Sequence, residues 1–330
     1  MTDEEEVAKK SSGSARKRWM RLLGWLFVLL SLFFWWRAIR QEPLAETLAA
    51  AQGHEAWLVA ALILATGYLI GQAVVWRALV ADLSVRIAWP VAMRAWMLSN
   101  LGRYLPGSVW HLVGRVEAGR DAGVGRASGT LGVALEQGLQ LVSALAIVAL
   151  SLPFWPADSI VRHWAWLALL VPLGFLAMHP RAFYPAVNTL LVRLGQPALP
   201  RNLGYRRLVG FTLADMGVHL CNGLTLACCA VALGAPLALV PAMVGAALFA
   251  WTVGYVTLLA PGGLGVREGM VTAALTPLLG RDVVAVAAVA ALLWRLANVV
   301  TEVGCAAGFT WLWRRWAGRA PAPAADQNEA

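Results

Sequence analysis

Arg267 and Glu268 stand side by side just after a proline and two glycines in LLAPGGLGVREGM, residues 258–270. Glycines without a Cβ permit tight turns, and a helix beginning after them presents unpaired N–H groups and a partial positive charge. Such an end favours an anion, and a guanidinium in the first turn strengthens it. Pro261, Gly262, Gly263, Arg267 and Glu268 are therefore read as one half of an anion site. The plainer alternative is that the two charges pair with others and only orient the loop.

A second break of the same kind lies in NLGRYLPGSVWHLVGRVEAG, residues 100–119. Here Pro106 and Gly107 interrupt the chain, Ser108 is placed to cap a following helix, and His111 and Arg115 are one turn apart on one face. An interfacial arginine with its head in water is the competing reading of Arg115. Three polar stripes at helical spacing complete the inventory: Glu136 with Gln140, Arg295 with Asn298 and Glu302, and Asp215 with His219 and Asn222. Residues so spaced share a face, which should turn toward a bundle interior.

The elements that position them are apolar. Hydrophobic residues make up 59% of the chain and charged residues 14%, against about 25% charged in soluble proteins, which makes this a membrane protein. Segments of about 20 apolar residues, enough to cross roughly 30 Å of hydrocarbon, run near 19–39, 56–80, 127–152, 163–178, 208–233 and 283–313. The regions 88–120 and 238–280 are apolar but interrupted by the two breaks. The first segment follows a basic stretch yet lacks a small-residue cleavage site, so it is read as a retained helix.

Within such segments, a charge at the bilayer centre costs about 2.5–3.5 kcal/mol, against about 0.3–0.6 gained per Leu or Val. Mutual pairing is expected, for example of Glu136 with Arg295 or Arg267, or contact with a hydrated cavity. The four cysteines lie in expected spans without ligand spacing and are read as packing residues, so neither a disulfide nor a metal is expected. Gly67/Gly71 and Gly304/Gly308 read as helix-packing pairs, and the seventeen tryptophans as interfacial belts.

The net charge of +9 sits at helix flanks, which points to membrane orientation and against nucleic acid. If each interrupted region enters and leaves on one side, most of the 27 Lys and Arg fall on the face carrying both termini, which is then cytoplasmic. The two breaks would dip in from opposite sides, a plan that recurs in secondary transporters. The expected fold is an all-α polytopic integral membrane protein, with about six full spans plus two re-entrant helical hairpins in inverted-repeat arrangement. Residues 1–18 and 317–330 are expected to be disordered tails around a transmembrane domain over 19–316.

The stretches GRYLPGSVWHLVGR, LGVALEQ, APGGLGVREG and WRLANVVTEVG resemble the membrane domain of lysylphosphatidylglycerol synthases and their stand-alone flippase-like relatives. The resemblance covers roughly 20–315, and its most specific part is the P-G-G-x-G-x-x-E segment. It implies a bacterial cytoplasmic membrane, a domain concerned with moving modified lipids between leaflets, and a family hairpin holding Pro261, Gly262, Gly263, Gly265 and Glu268. Glu136 and Arg295 would lie on its characteristic spans. No part of this sequence matches the soluble synthase domain, so the chain is not expected to aminoacylate lipid.

The function expected from these readings is translocation of a phosphate-bearing lipid or lipid-linked precursor. Arg267 and Arg115 would hold the phosphate, and Glu136 and Glu268 would balance charge. The alternatives are a non-transporting subunit presenting lipid to a partner glycosyltransferase or synthase, and a membrane-embedded transferase. The second is disfavoured by the lack of a paired-carboxylate metal motif. Membrane lipids are the expected partners, a homo-oligomer is allowed but not required, and no cofactor is expected because no nucleotide-binding motif occurs.

Overall fold

The computed structural model describes residues 47, 49, 51–105, 109–193, 203–257, 261–280 and 284–317. The first expected span, the whole of the expected N-terminal tail and all but Ala317 of the C-terminal one, and Pro106, Gly107 and Ser108 lie outside the described residues.

The chain folds into helices, with no strand among the described residues. Helix α1 spans Glu55–Leu83, α2 Trp89–Leu101, α3 Trp110–Asp121 and α4 Arg126–Ser151. Short helices follow, α5 Ile160–His163, α6 Leu170–Ala177 and α7 Pro180–Arg193. The second half holds α8 Tyr205–Ala232, α9 Val240–Val256, α10 Val266–Leu279 and α11 Val284–Ala317. Five helical segments, led by α1, α4, α8, α9 and α11, are long and apolar enough to cross a membrane. The protein is thus an all-α polytopic membrane protein.

The spans differ from expectation in two places. The stretch 163–178 is no single helix but a short 3-10 turn running into α6, whose eight residues reach about 12 Å. Pro172, Gly174 and the His179–Pro180 step shorten what hydropathy alone would run together. Conversely, the first arm of the second interrupted region, Leu237–Val256, is by itself long enough to cross.

Each half repeats one order: a long helix (α1 or α8), a two-armed broken hairpin (α2–α3 or α9–α10), and a second long helix (α4 or α11). Both hairpins open with a proline in the first turn, Pro90 and Pro241, where its missing N–H costs nothing. In each, the two arms pack on one another. The 3-10 turn Gly102–Tyr104 at the first break touches the 3-10 turn Pro261–Gly263 at the second.

The halves are joined most extensively along α1 and α8. Gly71 makes this approach, since a Cβ there would stand 2.7 Å from Val218 Cγ2. The packing reading holds for Gly71, whereas Gly67, Gly304 and Gly308 face open space. Cys228 and Cys229 are buried in the main apolar core, and Cys221 and Cys305 pack against a second cluster. Large apolar side chains such as Ile63, Leu150 and Leu213 point outward, as in a bundle solvated by lipid.

Candidate functional site

Between the apolar clusters runs a chain of buried polar groups. Arg115 of α3 donates through Nη1 to Glu136 Oε1 of α4 at 2.6 Å, and each side chain is only 1% exposed. The same carboxylate oxygen accepts from Trp96 Nε1 at 2.9 Å and Gln140 Nε2 at 3.3 Å. The Arg115 guanidinium also lies 4.6 Å from the Trp96 ring centroid. A desolvated ion pair survives only with such supporting contacts, because removing two charges from water costs several kcal/mol per ion.

The chain continues across the halves. Gln140 Nε2 donates to Gln72 Oε1 at 2.7 Å, and Gln72 Nε2 to Asp215 Oδ1 at 3.0 Å. Ser143 Oγ donates to Asp215 Oδ2 at 2.6 Å, and His219 Nδ1 lies 3.2 Å from that oxygen. Helices α1, α4 and α8 thereby share one polar seam.

A second group gathers at the two breaks. Glu302 of α11 pairs with Arg103 at 3.3 Å and accepts from the Tyr104 hydroxyl at 2.6 Å. Arg103 also donates to Asn100 Oδ1. Arg295 of α11 pairs with Glu268 of α10 at 3.5 Å, an ion pair too long to count as a hydrogen bond. The pairing is the same in both halves with the sign reversed. The hairpin's second arm pairs with the next long helix, as Arg115 with Glu136 and as Glu268 with Arg295.

These groups surround a cavity of about 260 Å³ lined by Arg103, Arg115 and Arg267, by the rings of Tyr68, Trp96 and Trp251, and by Gly262 and Gly263. Of the four central arginines, three have a carboxylate partner, and Arg267 has none among the described residues. Its Nε is buried without a hydrogen-bond partner there. Two glycines make the slot for it: a Cβ on Gly254 would stand 2.5 Å from Arg267 Cγ, and one on Gly263 2.7 Å from Nε. Gly262, Gly263 and Gly265 have φ of 60°, 69° and 78°, so the turn into α10 needs residues that tolerate the left-handed region.

The structure brings together most of the residues expected from sequence. Arg115, Glu136, Gly262, Gly263, Arg267, Glu268, Arg295 and Glu302 all belong to the cavity wall or to ion pairs behind it, and Pro261 belongs to the 3-10 turn at the break. The expected pairing of Glu136 with Arg295 or Arg267 is corrected. Arg115 reaches Glu136 because α3 packs on α4, and Glu268 is the nearer partner of Arg295 because α10 packs on α11. Arg115 is thus already neutralised.

Arg103, Tyr104, Gln72, Trp96 and Trp251 escaped the sequence reading. Arg103 and Tyr104 sit immediately before the first Pro-Gly break, the one local signal that marked them. No group of three or more His, Cys, Asp or Glu side chains that could hold a metal occurs among the described residues.

The sequence model of the family described as the lysylphosphatidylglycerol synthase TM region matches residues 21–304, most of the chain. No curated protein matches it.

Proposed function

We propose, starting from a chain that belongs to the lysylphosphatidylglycerol synthase TM region family, that it carries a phosphate-bearing lipid or lipid-linked precursor between the leaflets of a bacterial cytoplasmic membrane. The observation that carries this reading is Arg267, a buried guanidinium without a carboxylate partner among the described residues, facing a cavity at the start of α10. An unpaired buried cation is costly. An anion meeting both the guanidinium and the N-terminal N–H groups of α10 offsets that cost.

Arms of 13, 12 and 14 residues in α2, α3 and α10 are about 20 Å long and shorter than the hydrocarbon core. We read the hairpins as turning inside the membrane, entering from opposite sides, with both termini cytoplasmic as the arginine distribution supports. Broken backbone is tolerated there because it lines a cavity. The headgroup would occupy the cavity while the acyl chains stay in lipid, and rocking of the two halves would expose it to each face in turn. Arg115 with Glu136, and Arg295 with Glu268, would hold the hairpins to their long helices. On this reading the protein is a carrier, not an enzyme, and membrane lipids are its partners.

The test compares wild type with Arg267→Ala in mild detergent by native mass spectrometry. One phospholipid or polyprenyl lipid enriched in the wild type and lost in the variant is expected, followed by flipping of that lipid in vesicles. Equal, bulk-like lipid in both would remove the phosphate site. Enrichment without flipping would favour a subunit that presents lipid to a partner glycosyltransferase or synthase.

A further inference from the structure

The charges at the centre do not close on themselves. Of the buried charges described, Arg267 is the arginine without a carboxylate, and Asp215 is the carboxylate without an arginine. What Asp215 has instead is His219, one helical turn on, with both side chains inaccessible to solvent.

The geometry fixes the tautomer of that imidazole. Nδ1 lies 3.1 Å from the Asp215 carbonyl oxygen and 3.2 Å from Asp215 Oδ2, both acceptors, so Nδ1 carries the hydrogen. Ser143 Oγ, 3.2 Å from the same nitrogen, turns its own hydrogen to Asp215 Oδ2. Nε2 is then a bare lone pair, buried and without a partner among the described residues. The imidazole packs against Tyr68, with centroids 5.8 Å apart, and Trp251, at 5.0 Å. Both rings line the cavity, and the Arg267 guanidinium also lies against Trp251, 5.8 Å from its centroid.

We propose that His219, held by Asp215, is a proton-binding site linked to the anion site at Arg267, so that one proton and one lipid phosphate are taken up together. The proposal rests on the phosphate reading of Arg267. Hydronium reaching the ring from the cavity gives its proton to the Nε2 lone pair, one O–H bond breaking and a water molecule being left as the N–H bond forms, and the imidazolium keeps its Nδ1–H toward Asp215. The new cation is balanced by the Asp215 carboxylate.

Linkage follows from position. With Arg267 unneutralised, its charge opposes a second cation packed against the same Trp251 ring, and a phosphate on Arg267 removes that opposition. Each ligand therefore strengthens the other by the same factor.

The other groups around His219 leave this balance in place. Tyr68 on α1 and Tyr255 stacked on Trp251 in α9 are neutral phenols. Glu136 on α4 is held by Arg115, while Arg295 and Glu302 on α11 are held by Glu268 and Arg103. Asp215 is the remaining uncompensated charge beside the imidazole among the described residues.

The probe is a short-chain phosphatidylglycerol, whose phosphodiester keeps one charge between about pH 5 and 9. Its affinity for the full chain in detergent is measured over that range, with proton uptake read by a dye in weak buffer. Wild type is expected to lose affinity as pH rises, by up to about tenfold per unit, and to take up as much as one proton per lipid. His219→Gln is expected to bind with an affinity flat in pH. A flat wild-type profile with binding still lost in Arg267→Ala overturns the proton site and leaves the phosphate reading standing. The same slope in His219→Gln as in wild type also overturns it.

If wild type binds no probe at any pH, the phosphate reading fails, and nitrogen NMR of the histidines in wild type decides the proton site alone. A His219 signal passing from the Nδ1–H tautomer to the imidazolium as pH is lowered toward about 5 supports it. A ring neutral throughout overturns it.

Discussion

Tyr104, at the break of the first hairpin, lies against Gly262, at the break of the second. A Cβ on Gly262 would stand 3.2 Å from two carbons of the Tyr104 ring and 3.2 Å from Arg295 Nη2. The Tyr104 hydroxyl is in turn held by Glu302 of α11. The two halves thus meet through a glycine that is left-handed, with φ of 60°, and close-packed at once.

Gly262→Ala should therefore cost about 1–2 kcal/mol from its backbone conformation alone, with a further loss as Tyr104 and Arg295 give way. Thermal unfolding in detergent is expected to shift down by several degrees. Wild-type stability in this variant would show that the hairpin contact is loose.

Glu136→Gln leaves the Arg115 guanidinium buried beside a neutral amide. Breaking such a pair from one side costs about 3–5 kcal/mol, whereas replacing both partners by apolar residues is often neutral. The double variant Arg115→Met/Glu136→Leu is expected to be more stable than either single variant in a thermal double-mutant cycle. Additive losses would mean that the pair does not act as a unit.

Arg267→Met should behave in the opposite way to a structural substitution. It removes a buried cation without an ion-pair partner among the described residues, so the unfolding temperature should not fall, while co-purified anionic lipid should drop at least about tenfold, the equivalent of one charge-assisted hydrogen bond. A large loss of stability with lipid retained would assign Arg267 to the scaffold.

Gly254→Ala places a methyl group 2.5 Å from Arg267 Cγ and 2.8 Å from Nε, on a helix whose backbone accepts alanine without strain. The arginine must leave its slot. The expected result is the lipid loss of Arg267→Met with helical content unchanged by circular dichroism, and normal lipid content would show that the slot is wide enough to adapt.

Much of this architecture is written locally. Long apolar runs set α1, α4, α8 and α11, because hydropathy acts residue by residue along a helix that satisfies its own backbone hydrogen bonds. The glycines at 262, 263 and 265 mark the second break since their backbone angles are a property of those residues themselves. The polar faces carrying Glu136, Asp215 and Glu302 follow from spacing alone. The family resemblance, too, could be read from short motifs.

Partnership could not. Arg115 meets Glu136 because α3 packs on α4, and Glu268 rather than Glu136 meets Arg295 because α10 packs on α11. Charge and spacing on separate helices say only that some pairing is required, since the interaction depends on distances set by packing. Gln72, Trp96 and Trp251 are unremarkable in sequence and became part of the seam and cavity through contacts between distant helices. The expected span at 163–178 is not one continuous helix for a related reason: hydropathy counts apolar residues, while Pro172 lies in the first turn of the short helix that carries them and the His179–Pro180 step follows its end. Sequence thus determined which helices form and which residues must hide from lipid. Tertiary packing decided which charges neutralise each other, and so left Arg267 and Asp215, of the buried carboxylates and guanidinia described, as the two without a partner of opposite fixed charge.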